Sequence, residues 1–182
     1  KPPMADKRPE GMMGGPQQSA VLVALSKGCV VASAGTRGRT TKNANGTFIG
    51  KSPAALVDLK AAIRYLKFND LVMPGDANKI ISNGTSAGGA MSTLLGATGN
   101  NPDYEPYLKA LGAATASDDI FAVSAYCPIT NLDHADIAYE WQFAGIYSFK
   151  KGFPMQQGNQ GASQLDESQI IVSKDLGLLF PA

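Results

Sequence analysis

The chain has 182 residues, 44% hydrophobic and 17% charged, which suits a single globular domain of ordinary composition. Its formal charge of +1 offers no concentrated basic surface for nucleic acid or anionic lipid, and no apolar run approaches the roughly 20 residues of a membrane span. Neither a nucleic-acid nor a membrane partner is therefore expected.

Lys1 to Gly15 is polar and rich in Gly and Pro, without an apolar signal core, and residues 1–16 read as loop. Gln17 to Lys27 carries Ala20, Val21, Ala24 and Leu25 at helical spacing, and Gly28 stops that helix. Cys29 to Ala34 is a short, β-branched apolar run that predicts a strand buried on both faces. Thr36 to Gly50 is a polar loop leaving the end of that strand. Ser52 then predicts an N-cap, with Pro53 at the first helical position and Leu56, Leu59, Ile63 and Leu66 on one face of a helix ending near Phe68. Met73 to Asp76 makes a turn into a second strand, Lys79 to Asn83.

Residues 87–97 and Glu105 to Leu111 read as helices, and Ile120 to Tyr126 as a third strand ended by Pro128. This alternation predicts an α/β fold on a parallel sheet with right-handed crossovers. After Leu132 the pattern changes to helices at Ile137 to Phe143 and Glu167 to Leu179, joined by a Gly/Gln-rich loop with no further strand. The expected division is therefore 1–132 as part of the sheet core and 133–182 as the beginning of an inserted helical lid. Three parallel strands leave two long unpaired edges, so more polypeptide is expected beside them.

The sharpest chemical signal is Gly84-Thr85-Ser86-Ala87-Gly88, directly after a predicted strand and directly before a predicted helix. In that context G-x-S-x-G is a nucleophile elbow: a strained turn lifts the Ser86 hydroxyl above the sheet, and flanking glycines leave room for crowded backbone. The helix N-terminus offers the Ala87 N–H to an oxyanion. A triad also needs an acid and a histidine, which in this fold follow the nucleophile on later strands. The single histidine, His134, comes before any such strand and reads as a surface or lid residue, so the triad Asp and His are expected outside this chain.

Other features read as structural. Cys29 and Cys127 have no CxxC partner or nearby His, which argues against a metal site; buried free thiols are expected, with a disulfide the alternative. Gly50-Lys51-Ser52 ends like a phosphate-binding loop, but Asn45 stands where the leading glycine belongs. Arg37 and Arg39 follow the first strand and are expected to order a loop by pairing with local acids, the alternative being to bind a carboxylate. Tyr139, Trp141, Phe143, Tyr147 and Phe149 form an aromatic cluster, read as core or, alternatively, as the lining of an aromatic pocket.

Several blocks together resemble bacterial tannases: Ala24 to Gly28 running into Val30 to Gly35 and Arg37-Gly38-Arg39; Asn83 to Gly89; Gly99-Asn100-Asn101-Pro102; and Ala125 to Leu132 with Tyr139-Glu140-Trp141. The resemblance covers most of residues 20–182, in order. It implies an α/β-hydrolase with a large lid, hydrolysing esters of phenolic acids such as galloyl esters through a Ser-Asp-His triad in which Ser86 is the nucleophile and Ala87 an oxyanion donor. It implies no cofactor. The implied partners are a small phenolic ester as substrate and the remainder of the same precursor, as a second chain or further segment. A feruloyl or general carboxylesterase is the alternative on the same scaffold, and a non-catalytic hydrolase-like binding module the alternative of another class.

Overall fold

A computed structural model describes residues 19–150 and 162–180. The expected N-terminal loop and most of the Gly/Gln-rich connection lie outside them. The described residues fall into two compact units: one runs to Ile81 and resumes over Leu94–Ala122, and the other comprises Ser82–Thr93 and the residues from Val123 onward.

The first unit is organised by its longest helix. Helix α1 (Ala20–Ser26) comes first and buries none of its residues. Residues 29–34, predicted as a buried strand, belong to no described strand, and Val30 and Val31 are exposed. The correction has a simple cause: a ladder needs a neighbour, and no described strand lies alongside to take these backbone groups. Helix α2 (Ala54–Phe68) ends where expected, but its N-cap is Pro53, with no side-chain cap, so Ser52 does not serve that role.

The buried face of α2 is also not purely apolar: Ala54, Leu56, Val57 and Ile63 share it with Lys60 and Arg64. Helix α4 (Glu105–Leu111) packs against α2 and seats the fully buried Leu108, a burial that stabilises by about 2 kcal/mol.

The buried cations of this unit meet on one carboxylate. Lys60 Nζ donates to Asp118 Oδ1 at 2.8 Å, with both side chains essentially inaccessible. Arg64 reaches Asp118 Oδ2 at 2.7 Å and also pairs with Glu105. Asn100, in the left-handed region at φ 56°, closes the group: its N–H donates to Asp118 Oδ1 at 2.8 Å, and its side-chain oxygen accepts from the Asp118 N–H at 2.9 Å. Burial opposes ionisation of Asp118, but the hydrogen bonds from Lys60, Asn100 and Arg64 outweigh it and hold the carboxyl below its usual range.

Arg37 pairs with Asp58 Oδ1 at 2.7 Å, while its backbone N–H donates to Oδ2 at 2.7 Å. Arg37 therefore has the structural role expected of it. Arg39 and Lys51 are exposed.

Strand β1 (Ile81–Thr85) begins two residues later than predicted. The Asp76 side chain accepts the Asn78 N–H at 2.9 Å and draws Ala77–Lys79 into a turn of 3-10 helix. Strand β2 (Ala122–Tyr126) is its hydrogen-bonded neighbour. Ile80 O accepts from Phe121 N, and six residues further on Ser86 N donates to Tyr126 O, so the two strands run parallel. Helix α3 (Ala87–Ala97) follows β1 as predicted.

In the second unit, α5 (Ala135–Gln142) packs against α6 (Glu167–Leu179). At Gly177 a Cβ would lie 3.3 Å from the Glu140 carbonyl oxygen, and Ser173 Oγ donates to Glu140 Oε2, so the two helices meet closely. Asp166 and Gln169 form a capping box that starts α6. Two short strands, β3 (Ser148–Lys150) and β4 (Ala162–Gln164), pair antiparallel. The expectation of no strand after Leu132 is thus corrected; three-residue strands held only by each other leave too short a pattern to read.

The aromatic cluster is not core. Tyr139, Trp141, Phe143 and Phe149 are each about half exposed. The rings instead pair along the surface, Tyr139 on Phe143 and Trp141 on Phe180.

Candidate active site

Parallel pairing brings the C-terminal ends of β1 and β2 side by side, the edge where open α/β sheets place their sites. Ser86 is the single residue between the end of β1 and the start of α3, and its φ is 58°. A non-glycine residue in the left-handed region carries roughly 1–2 kcal/mol of strain and persists only where its surroundings hold it. Here both flanking peptide groups are held: Ser86 N donates to Tyr126 O at 2.9 Å, and Ser86 O accepts from Ala90 N at 3.0 Å. The side chain stays exposed. Ala87 opens α3, where an amide N–H has no acceptor inside its own helix.

The glycines are used differently from the sequence reading. A Cβ on Gly84 would fall 2.2 Å from the Gly88 oxygen, so only glycine fits there. Gly89 is also crowded, since a Cβ there would lie 2.8 Å from Tyr126 O and 3.1 Å from Pro128 Cα, whereas a Cβ on Gly88 meets no described atom. The crowded pair is therefore Gly84 and Gly89. Between them they let the start of α3 press against β1 and the end of β2.

Ser86 opens into a cleft of about 460 Å³, lined also by Cys127, Pro128, Ile129, Asn131 and His134 and by Ala135, Ala138, Tyr139 and Gln142 of α5. One of these was misread. Cys127, expected to be buried, is exposed at φ 45° immediately after β2; Cys29 is exposed as well, and both thiols are free. The available signal was position: the residue after a strand end lies on the same edge as Ser86.

His134, expected on the surface or in a lid, is exposed but shares the cleft with Ser86. Proximity does not make it a base. Among the described residues no carboxylate hydrogen-bonds its ring, and a triad histidine needs such a partner to fix its tautomer. His134→Ala is accordingly expected to lower kcat by less than about tenfold, against the roughly 10⁴-fold of a lost triad member. Steady-state kinetics on the full-length protein checks this, and a loss as large as that of Ser86→Ala would make His134 the base.

Among the described residues no cluster of three or more His, Cys, Asp or Glu could hold a metal ion, and no helix is long and apolar enough to cross a membrane.

The family model BD-FAE matches residues 16–147, a stretch that contains Ser86, β2 and α5. The chain belongs to the BD-FAE family. Within this BD-FAE chain the likeness to solved structures is close. A tannase from Fusobacterium nucleatum is 56% identical with a TM-score of 0.73, over 88% of this chain and 36% of that one. A tannin acyl hydrolase in complex with ethyl gallate is 54% identical with a TM-score of 0.70, over 86% of this chain and 33% of that one. Esterase LipC of Mycobacterium tuberculosis (strain ATCC 25618 / H37Rv) is 37% identical over 71 residues, 39% of this chain and 17% of LipC. The fold is α/β-hydrolase-like. This chain spans about a third of the length of the tannase structures and about a sixth of LipC.

Proposed function

We propose that this chain carries the nucleophile of a serine esterase acting on esters of phenolic acids, galloyl esters in particular. The observation that carries the reading is Ser86 at φ 58°, held in the left-handed region between β1 and α3 at the centre of G-x-S-x-G. Membership of the BD-FAE family and the identity to tannin acyl hydrolases support the substrate class.

In the proposed reaction Ser86 Oγ attacks the ester carbonyl as a general base takes its proton. The Ala87 N–H, aided by the N-terminal end of α3, stabilises the oxyanion. The alcohol departs with the proton, and water then attacks the acyl-enzyme, releasing the acid and restoring the serine. No step requires a cofactor.

The triad Asp and His are assigned to polypeptide outside these residues, from the same precursor. This is supported by the unpartnered ring of His134 and by a β1–β2 sheet with both outer edges unpaired among the described residues. Residues 1–132 are assigned to part of the sheet core and residues 133–182, with the α5–α6 pair, to the beginning of an inserted lid.

A fluorophosphonate probe tests the reading. The full-length protein is expected to take up one label, at Ser86, located by peptide mass spectrometry. A folded protein that takes none is a binding module and not an esterase.

A further inference from the structure

Among the described residues three that are not glycine have a positive φ: Ser86 at 58°, Asn100 at 56° and Cys127 at 45°. Asparagine tolerates this left-handed region, and Asn100 uses it to hold Asp118 through both its backbone and its side chain. Serine and cysteine have no such tolerance, and strain of that kind persists only where the surroundings over-determine it. Cys127 carries a second penalty, because it precedes Pro128, whose ring favours an extended residue before it.

The two strained residues are joined by one hydrogen bond. Ser86 N donates to Tyr126 O at 2.9 Å, and that carbonyl belongs to the peptide group that leads into Cys127. The φ of Cys127 is the rotation about the bond that follows this peptide, so it sets the direction of the Tyr126 carbonyl relative to Pro128. Both sides of Cys127 are hemmed in by the start of α3: a Cβ on Gly89 would lie 2.8 Å from Tyr126 O and 3.1 Å from Pro128 Cα.

We infer that Cys127 is a positioning residue: its left-handed backbone aims the Tyr126 carbonyl at the Ser86 N–H and so fixes where the Ser86 hydroxyl stands. The conformation does this, and the thiol takes no part. This rests on Ser86 being an esterase nucleophile.

Full-length protein with Cys127 replaced tests the role. Valine, branched at Cβ, is a poor fit to a positive φ. Cys127→Val is expected to slow fluorophosphonate labelling of Ser86, and to lower kcat on methyl gallate, by about 10- to 100-fold, with KM within about threefold of wild type. Cys127→Ala lacks the thiol, and Cys127→Leu is bulkier than valine but unbranched at Cβ. Both bear the same left-handed strain as cysteine and should stay within about threefold of wild type. Thermal unfolding shows which variants are folded. Should Cys127→Val not fold, Gly89→Ala presses on the same carbonyl without touching Cys127 and is expected to slow labelling likewise.

Labelling of Cys127→Val as fast as that of Cys127→Ala, or of Gly89→Ala as fast as wild type, overturns the positioning role. A loss in Cys127→Ala equal to that in Cys127→Val would give the role to the thiol, and an equal loss in Cys127→Leu would give it to bulk in the cleft; either result also overturns it. Any of these outcomes with wild-type protein labelled at Ser86 sinks this inference alone. Wild-type protein that takes no label sinks the esterase reading and this inference with it.

Discussion

Ser86→Ala in the full-length protein is expected to lower kcat on methyl gallate by about 10⁴-fold or more, with the unfolding transition little changed. The size follows from chemistry: alanine has no nucleophile, and what survives is the rate supplied by substrate binding and the oxyanion donors alone. The small effect on folding follows from geometry. Ser86 is anchored through its backbone, by the bonds to Tyr126 O and from Ala90 N, and its exposed side chain makes no described hydrogen bond. Alanine at φ 58° bears the same left-handed strain as serine, so the turn is no worse off. Turnover and thermal unfolding measured on one preparation decide the matter. A folded variant with near-normal kcat would remove Ser86 from the chemistry.

The largest expected effect on stability lies in the first unit. Asp118→Asn leaves Lys60 and Arg64 on the buried face of α2 without the carboxylate that neutralises both. Removing one partner of a buried ionic group typically costs about 3–5 kcal/mol, because the remaining charge is stranded without solvent. Glu105 still pairs with Arg64, which limits the damage there; Lys60 has no other carboxylate among the described ion pairs. Chemical denaturation of wild type and variant measures the difference, and a change under about 1 kcal/mol would show that solvent reaches the cluster.

Acid should act in the same direction in the wild type. The folded Asp118 carboxyl sits below its ordinary value of 3.8, so its stabilisation is complete above that pH and is lost as pH falls through the folded pKa. Asp118→Asn should flatten the acid limb of the stability curve.

Local signals carried far in this chain. Residues 87–97, Glu105–Leu111 and Glu167–Leu179 are helices with the boundaries their periodicity predicts, because i, i+3, i+4 spacing is a property of the helix itself. The turn at Ser86 was legible for a similar reason: a serine between two glycines at a strand–helix junction is a local pattern, and the left-handed φ at Ser86 is its local consequence.

What depends on a partner was not legible. Residues 29–34 have the composition of a buried strand, yet strand character belongs to a pair, and the described chain supplies none. The aromatic residues of α5 read as core because size and apolarity were all the sequence offered. Only the packing shows that they lie half open, one of them on the cleft.

Asp118 was missed altogether. One aspartate in a polar stretch carries no periodicity, and its meeting with Lys60 and Arg64 spans separations of 58 and 54 residues. Asn100 lay inside a block recognised as family-like, but its part in fixing Asp118 becomes visible only when the two loops are side by side.

By itself, then, the sequence determined the helices, the parallel α/β alternation and the serine at the turn, since each is encoded in spacing over a few residues. The tertiary structure alone decided which glycines crowd the turn at Ser86, that Cys127 and His134 share the cleft of Ser86, and that two cations of α2 are buried on one carboxylate. Each of these is a contact between distant segments, where burial and charge compensation act through space and leave no period along the chain.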